Sequence, residues 1–261
     1  MSPQPLHDRV VLLTGASRRL GIGAAIARRL AADGAGLLLH GWPPHDAEQP
    51  WGADPHGAEV LRDELRVNGS HVELVEVDLA EPGAPQFLVD AARAAFGHVD
   101  AVVANHARSS ARSLEQLTAE ELDLAYAVNT RATLLLAQAF AAQHDDARPG
   151  GRLLWFTSGQ HHGAMPGELP YAASKAALHE LTRSLAVHLA PRGITVNCVD
   201  PGPTDTGYAD DALRASVAAA SPGGRWGTPA DAARLVAWLL GDEAAWVTGQ
   251  TVASDGGWSS R

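Results

Sequence analysis

The sequence predicts an α/β fold, a Rossmann-type doubly wound parallel sheet of about seven strands with helices on both faces. Three observations predict it. Short β-branched or leucine-rich runs alternate with longer helical patterns along the whole chain. The strand runs are mostly apolar rather than alternating, as in strands covered on both sides. The first of them leads directly into a glycine-rich turn and then a helix, which is the start of a βαβ unit.

Taken in order, Val10-Val-Leu-Leu-Thr14, Gly36-Leu-Leu-Leu-His40, Val72-Glu-Leu-Val-Glu-Val77 and Val99-Asp-Ala-Val-Val103 read as strands. Arg152-Leu-Leu-Trp-Phe156, Ile194 to Val199 and Gln250-Thr-Val-Ala253 add three more. Helical patterns fall between them near 22–33, 57–68, 83–96, 118–143, 171–190 and 229–240. In the helix over 118–143, Leu122, Tyr126, Thr133, Leu136 and Phe140 form the expected buried stripe, and Asn129 falls on it. A core-facing amide must find partners, so Asn129 belongs either to a structural network or to a functional site.

No repeat and no linker divides the chain, so residues 1–261 are expected to form a single domain. Two stretches break the alternation. Residues 42–56 are long and proline-rich for a strand-to-helix connection. Residues 203–226 carry a short helical pattern between Gly207 and Gly223-Gly224, which suits either a mobile flap over a site or a surface excursion.

Twenty basic and thirty acidic residues give a net charge of −10 with no basic cluster, so nucleic acid is not an expected partner. No apolar run reaches transmembrane length and the start has no signal-peptide pattern, so no membrane is expected and the location reads as cytoplasmic. Cys198, the one cysteine, lies inside an apolar strand run and is expected to be a buried thiol.

Lys175 is the only lysine; every other permanent cation is arginine. It follows Tyr171 at i+4, on one face of a helix, where an ammonium can favour the phenolate and move the tyrosine toward neutral pH. A guanidinium does not reproduce a compact point charge. The glycines of Thr14-Gly-Ala-Ser-Arg-Arg-Leu-Gly-Ile-Gly23 permit a tight turn and deliver a diphosphate to a helix N-terminus. Ser158 closes the strand ending at Phe156, at the sheet edge where such folds bind ligands. Twelve histidines include neither HxH nor HExxH, and adjacent His161-His162 are expected to point apart, so no metal site is expected. His161, His162, Gln160 and Glu168 lie instead between Ser158 and Tyr171, as a wall of a substrate pocket.

Together and in this order, these residues resemble the short-chain dehydrogenases/reductases, in their single-domain branch, over Thr14 to Gly257. The resemblance implies a tetrad: Ser158 polarises the substrate oxygen, Tyr171 is the acid/base, Lys175 holds the nicotinamide ribose, and Asn129 orders a water. It implies cofactor contacts from Gly15, Ser17, Gly21, Ile22, Gly23 and Asn105, from Asp78 and Leu79 at the adenine, and from Pro201, Gly202, Thr204 and Thr206 at the nicotinamide. Substrate contacts are expected from His106, Gln160, His161 and Tyr208. It also implies a homotetramer.

The chain departs from the family pattern at three places. Five residues, Ala16 to Leu20, separate the first two glycines where three are usual. His106 stands where a small residue normally adjoins the cofactor, and Gly41-Trp42 where NAD users carry an aspartate. Without that carboxylate, and with Arg18 and Arg19 able to pair with a 2′-phosphate, NADP is preferred and NAD possible; the alternative is two solvated arginines. The expected function is an NADP-dependent oxidoreductase interconverting a carbonyl and a secondary alcohol, 3-oxoacyl-reductase-like or acting on another small ketone. An NAD-dependent alcohol or polyol dehydrogenase is the alternative enzyme. A non-catalytic nucleotide-sensing module on the same fold is the alternative outside enzymes.

Overall fold

The structure is a computed structural model that describes residues 4–148 and 150–260. Its strands are β1 (Val10–Thr14), β2 (Gly36–Gly41), β3 (Val72–Glu76), β4 (Ala101–Ala104), β5 (Arg152–Phe156), β6 (Thr195–Asp200) and β7 (Thr251–Ala253). All seven pair in parallel in the order β3-β2-β1-β4-β5-β6-β7. The order reverses between β1 and β4. Ligands of doubly wound sheets sit at that switch, beyond the carboxyl ends of the strands.

The helices are α1 (Ile22–Ala32), α2 (Pro43–Ala47), α3 (Gly57–Val67), α4 (Ala84–Phe96), α5 (Ala119–Ala125), α6 (Ala132–Gln143), α7 (Leu169–Leu189), α8 (Asp211–Ala220) and α9 (Pro229–Leu240). Strand side chains alternate between two cores. Leu13, Leu39, Val103, Leu154 and Val199 pack with Ile26, Leu30, Leu61, Val236 and Leu239 of α1, α3 and α9. Leu12, Leu38, Val102, Trp155 and Cys198 pack with Leu88, Leu136, Phe140 and Leu178 of α4, α6 and α7. Both faces are therefore apolar, which is why the strands read as continuous hydrophobic runs. Cys198 is a free, fully buried thiol, and burial pushes its pKa up to about 12.

The expected helix over 118–143 is interrupted. Thr118 caps α5 by accepting from the Glu121 N–H at 3.2 Å, but Tyr126–Arg131 is a π turn before α6 begins. Its extra residue advances the helix phase by about 100°. Leu122 and Tyr126, expected to be buried, are 39% and 52% exposed, whereas Asn129, Thr133, Leu136 and Phe140 are buried.

Candidate active site

The glycine loop after β1 is shaped by contact. Gly15 has φ +75°, and a Cβ there would lie 2.7 Å from the His106 backbone. A Cβ on Gly23 would lie 2.2 Å from the Gly15 carbonyl oxygen. The two additional loop residues are absorbed in a turn closed by the Gly21 N–H donating to Arg18 O at 3.0 Å. The turn pushes Arg19 and Leu20 outward, so α1 still starts beside Gly15. The Asn105 amide donates to Gly15 O at 2.9 Å, and Ser17 Oγ accepts from the Trp42 N–H at 2.8 Å, tying the loop to the ends of β4 and β2.

Gly15, Ser17, Arg18, Gly21, Ile22, Asp78, Leu79, Asn105, His106 and Thr206 line one cleft at the carboxyl ends of β1 to β4. Arg19 stands outside it, bound through Nε and Nη2 to both oxygens of Asp54 at 2.8 Å each. Arg18 reaches across the cleft to donate to Thr206 O at 3.0 Å, with its guanidinium 5.8 Å from the Trp51 ring centre. Pro201, Gly202 and Thr204 make the turn after β6, and the Thr204 hydroxyl donates back to Pro201 O at 3.1 Å.

His106 is placed in the cleft floor rather than free for substrate. Its Nδ1 lies 2.6 Å from Thr14 Oγ1 and its Nε2 2.9 Å from Val128 O. Burial, with the charges of His40 and Lys175 adding to it, takes its pKa down to about 3, so the ring is neutral.

The segment 42–56 supplies cleft residues that sequence reasoning missed. Trp42, His45, Asp46 and Glu48 line the same cleft. Arg108 pins the segment down, with Nη1 3.3 Å from His45 Nδ1 and 3.4 Å from Glu48, and Nε 3.3 Å from Glu121. Burial raises the Asp46 pKa, against a hydrogen bond from Trp51 and the charge of Arg18. The signal was the position of these carboxylates, directly after the strand end that faces the cleft.

Ser158 and Tyr171 share a side-chain hydrogen bond. The expected pKa pairing with Lys175 is corrected. Burial pushes the phenol up to about 12, despite the bond from Ser158. Lys175 is buried and its own pKa falls to about 8 for the same reason. Its Nζ donates to Phe156 O at 3.0 Å and stands 5.9 Å from the centre of the Tyr171 ring. Helical spacing brought the two together, but the ammonium is aimed at a carbonyl, not at the phenol oxygen. Asn129 is fully engaged: Oδ1 accepts from Arg108 N at 2.7 Å, and Nδ2 donates to Arg108 O at 3.0 Å and to Ser174 Oγ at 2.9 Å. It joins the loop after β4 to α7.

Gln160 also turns inward. Its Oε1 accepts from Ser158 N at 3.1 Å and its Nε2 donates to Thr157 Oγ1 at 2.7 Å, bracing the serine turn. Tyr208 sits between Trp51 and Trp226, at ring-centre distances of 6.1 and 5.8 Å, joining the 42–56 segment to the 203–226 segment. His161 and His162 do not point apart. They sit in and just after a single 3₁₀ turn (Gly159–His161), and both face Asp200 Oδ2, at 3.6 and 3.2 Å. Neighbours in such a turn are separated by about 120°, not the 180° of an extended strand.

The sequence profile of the family described as Enoyl-(Acyl carrier protein) reductase matches residues 15–259. An uncharacterized oxidoreductase of Bacillus subtilis, YjdA, is 39% identical over 96% of this chain and 97% of its own. An NADPH-dependent aldehyde reductase-like protein of Arabidopsis thaliana is 35% identical, over 98% of this chain and 96% of its own. A short chain dehydrogenase of Burkholderia cenocepacia, solved in complex with NADP, superposes with a TM-score of 0.87 at 36% identity, covering 98% of this chain and all of that one (100%).

Proposed function

The chain belongs to the short-chain dehydrogenase/reductase family, and we propose that it is an NADP-dependent member interconverting a small ketone or aldehyde and the corresponding alcohol. One observation carries the reading: the Ser158–Tyr171 hydrogen bond lies beside the only lysine of the chain. The charge of that lysine is felt by His106 in the floor of the glycine-lined cleft.

The cleft fits a dinucleotide, because Gly15 and Gly23 leave a backbone cradle that a Cβ would fill. Gly15, Gly21, Ile22 and Gly23 would hold the diphosphate at the N-terminus of α1. Asp78 and Leu79 would contact the adenine, Lys175 the nicotinamide ribose, and Pro201 to Thr206 the nicotinamide. The bound cofactor supplies or accepts the hydride. Ser158 holds the substrate oxygen. Tyr171, its phenol pKa raised to about 12, is protonated at neutral pH and gives its proton to that oxygen in the reductive direction. Asn129, Gln160 and Asn105 position the loops that carry these groups.

The substrate is a small ketone or aldehyde. The relative named as aldehyde reductase-like supports that class, and the NADP complex of the Burkholderia protein supports the cofactor. Arg18 carries the 2′-phosphate contact, since Arg19 is held by Asp54. A second reading, NAD use, is favoured by Asp46 and Glu48, whose carboxylates face the cleft. The lone cysteine, buried and unpaired, suits a cytoplasmic setting.

Replacing Tyr171 with Phe tests the reading. Turnover of a panel of ketones and aldehydes with NADPH should fall by roughly 10²–10⁴-fold while the Kd for NADPH stays near wild type, because only the transferable proton is removed. Retention of most of kcat by the phenylalanine variant would remove Tyr171 from the mechanism.

A further inference from the structure

Asp200, the last residue of β6, is 1% exposed. Its Oδ1 accepts from the Gly202 N–H at 2.9 Å, which fixes the carboxylate and leaves Oδ2 to face the turn after β5. Two imidazoles face that oxygen, His161 Nε2 at 3.6 Å and His162 Nε2 at 3.2 Å. Among the described residues no lysine or arginine pairs with Asp200.

The tautomer of His161 decides what this means. Its Nδ1 lies 2.8 Å from the Ser158 carbonyl oxygen, which can only accept, so Nδ1 carries the hydrogen. With the hydrogen on Nδ1, Nε2 of the neutral ring is a bare lone pair turned toward a buried carboxylate. Two electron-rich atoms facing each other call for a cation between them. A hydrogen bond from the far ring nitrogen to a backbone carbonyl is also how metal-ligating histidines are held. The His161 ring is further fixed by stacking on His179 of α7, 4.5 Å between centres.

We propose that His161, His162 and Asp200 form a binding site for a divalent transition-metal ion of the zinc class, beside the Ser158 turn. The three donor atoms lie within 4.8 Å of one another. Ligands at about 2.0–2.2 Å in a tetrahedral shell are about 3.3–3.6 Å apart, close to the separations of 3.6 and 3.2 Å between the two imidazoles and Asp200. Two imidazoles and one carboxylate suit Zn²⁺, Ni²⁺ or Cu²⁺ and not Mg²⁺, which takes an oxygen shell. His162, whose side chain is 32% exposed, gives a path of entry. Three protein ligands leave a further position for water. Binding would tie the turn that carries Ser158 to the end of β6, so the ion's first effect is on the wall of the substrate pocket. The site is independent of the redox reading, and its test does not use turnover.

The full chain, stripped with a chelator and dialysed, is titrated with Zn²⁺ against a chromophoric competitor, and with Mg²⁺ in parallel. One equivalent of Zn²⁺ should bind at micromolar Kd or tighter, with no Mg²⁺ bound. In His161→Ala and His162→Ala that equivalent should weaken by at least about 100-fold, and in the double variant it should be lost. Circular dichroism on the same samples reports whether the variants are folded. Zn²⁺ should raise the Tm of the wild type and not that of the folded double variant. Failure of the wild type to take up Zn²⁺ would overturn the site and leave the two histidines as polar neighbours of Asp200 alone. So would an equivalent that survives in the double variant, which would place binding at other histidines of the chain.

Discussion

Lys175 keeps its ammonium in a site that works against it. Its pKa falls to about 8 from an ordinary 10.5 because burial disfavours the charged form. Below pH 8 the group is protonated folded and unfolded, and the fold bears the whole desolvation cost. Between about pH 8 and 10 the folded chain releases the proton while the unfolded chain keeps it, so stability rises with pH there. Above about pH 10 Tyr171 acts in the opposite sense: its phenol ionises near 12 when folded and near 10 when unfolded, so stability falls. Lys175→Met should therefore be more stable than wild type at pH 7, with a gap that narrows by roughly 2–3 kcal/mol by pH 10. Chemical denaturation at several pH values measures the gap; a constant difference would mean the ammonium is not strained. A residue kept at such cost is consistent with the nicotinamide-ribose role assigned to it.

The two loop arginines separate at the same scale. Both read alike in the sequence, as adjacent cations in a glycine loop. Only the fold shows that Asp54, thirty-five residues further on, takes the whole fork of Arg19. Charge-assisted contacts contribute roughly 1.5–3 kcal/mol. Arg18→Ala should then raise the Kd for NADPH tenfold or more, at about 1.4 kcal/mol per decade, and barely change that for NADH. Arg19→Ala should affect both cofactors slightly and equally. Fluorescence titration with the two cofactors decides it, and equal loss of both in the Arg18 variant would assign that arginine to the diphosphate or the fold.

Elements were legible in proportion to how local their causes are. The strands and most helices follow from runs of residues and stand within a residue or two of their expected bounds. The π turn over Tyr126–Arg131 was not legible, because one extra residue alters phase without altering composition. It leaves Leu122 and Tyr126, expected on the buried stripe, facing out, while Asn129 keeps the buried place the stripe gave it. The aim of Lys175 Nζ and the convergence of His161 with His162 were equally closed to spacing arguments, since both depend on partners far along the chain.

The element whose behaviour can be tested is α8, within the 203–226 segment. Asp210 caps it by accepting from the Leu213 N–H at 2.7 Å, yet no residue of the helix is buried, and Leu213 is 43% exposed. It is held mainly by Arg214, which bonds Asp205 at 2.9 Å and accepts from Trp226 Nε1 at 2.9 Å. Exposed pairs of that kind contribute about 0–1 kcal/mol, so the segment should open readily. Thr206 in the cleft and Tyr208 against Trp51 link its position to the occupant. Hydrogen exchange over 203–226 should slow on addition of NADP. Protection equal with and without it, or already as high as in β5 and β6, would remove the lid.

At the scale of the whole molecule, the parallel sheet and its two cores were written in the apolar runs, but the outer surface was only half readable. Eight apolar residues of the 118–143 and 171–190 regions exceed what one stripe per helix needs. Of these, Ala132, Ala137 and Leu178 are absorbed by the core, while Leu134, Leu135, Leu181 and Leu185 are partly exposed and Val187 is 78% exposed. The π turn adds Leu122 and Tyr126 to the outside. Apolar surface gathered on neighbouring helices, α5 against α7 and the π turn against both α6 and α7, is the usual mark of an interface, and soluble homo-oligomers close with symmetry. A second exposed group, Trp238 at 41% and Trp246 at 98%, lies on and after α9 and offers a further contact. Two distinct faces of this kind are what a tetramer of two-fold symmetry requires, whereas one face would end at a dimer. Light scattering at micromolar concentration should give the mass of a tetramer. Tyr126→Asp with Val187→Asp should reduce it to a dimer held by the α9 face. A monomer mass for the wild type would show that this surface faces water, and a tetramer surviving both aspartates would place the contacts elsewhere.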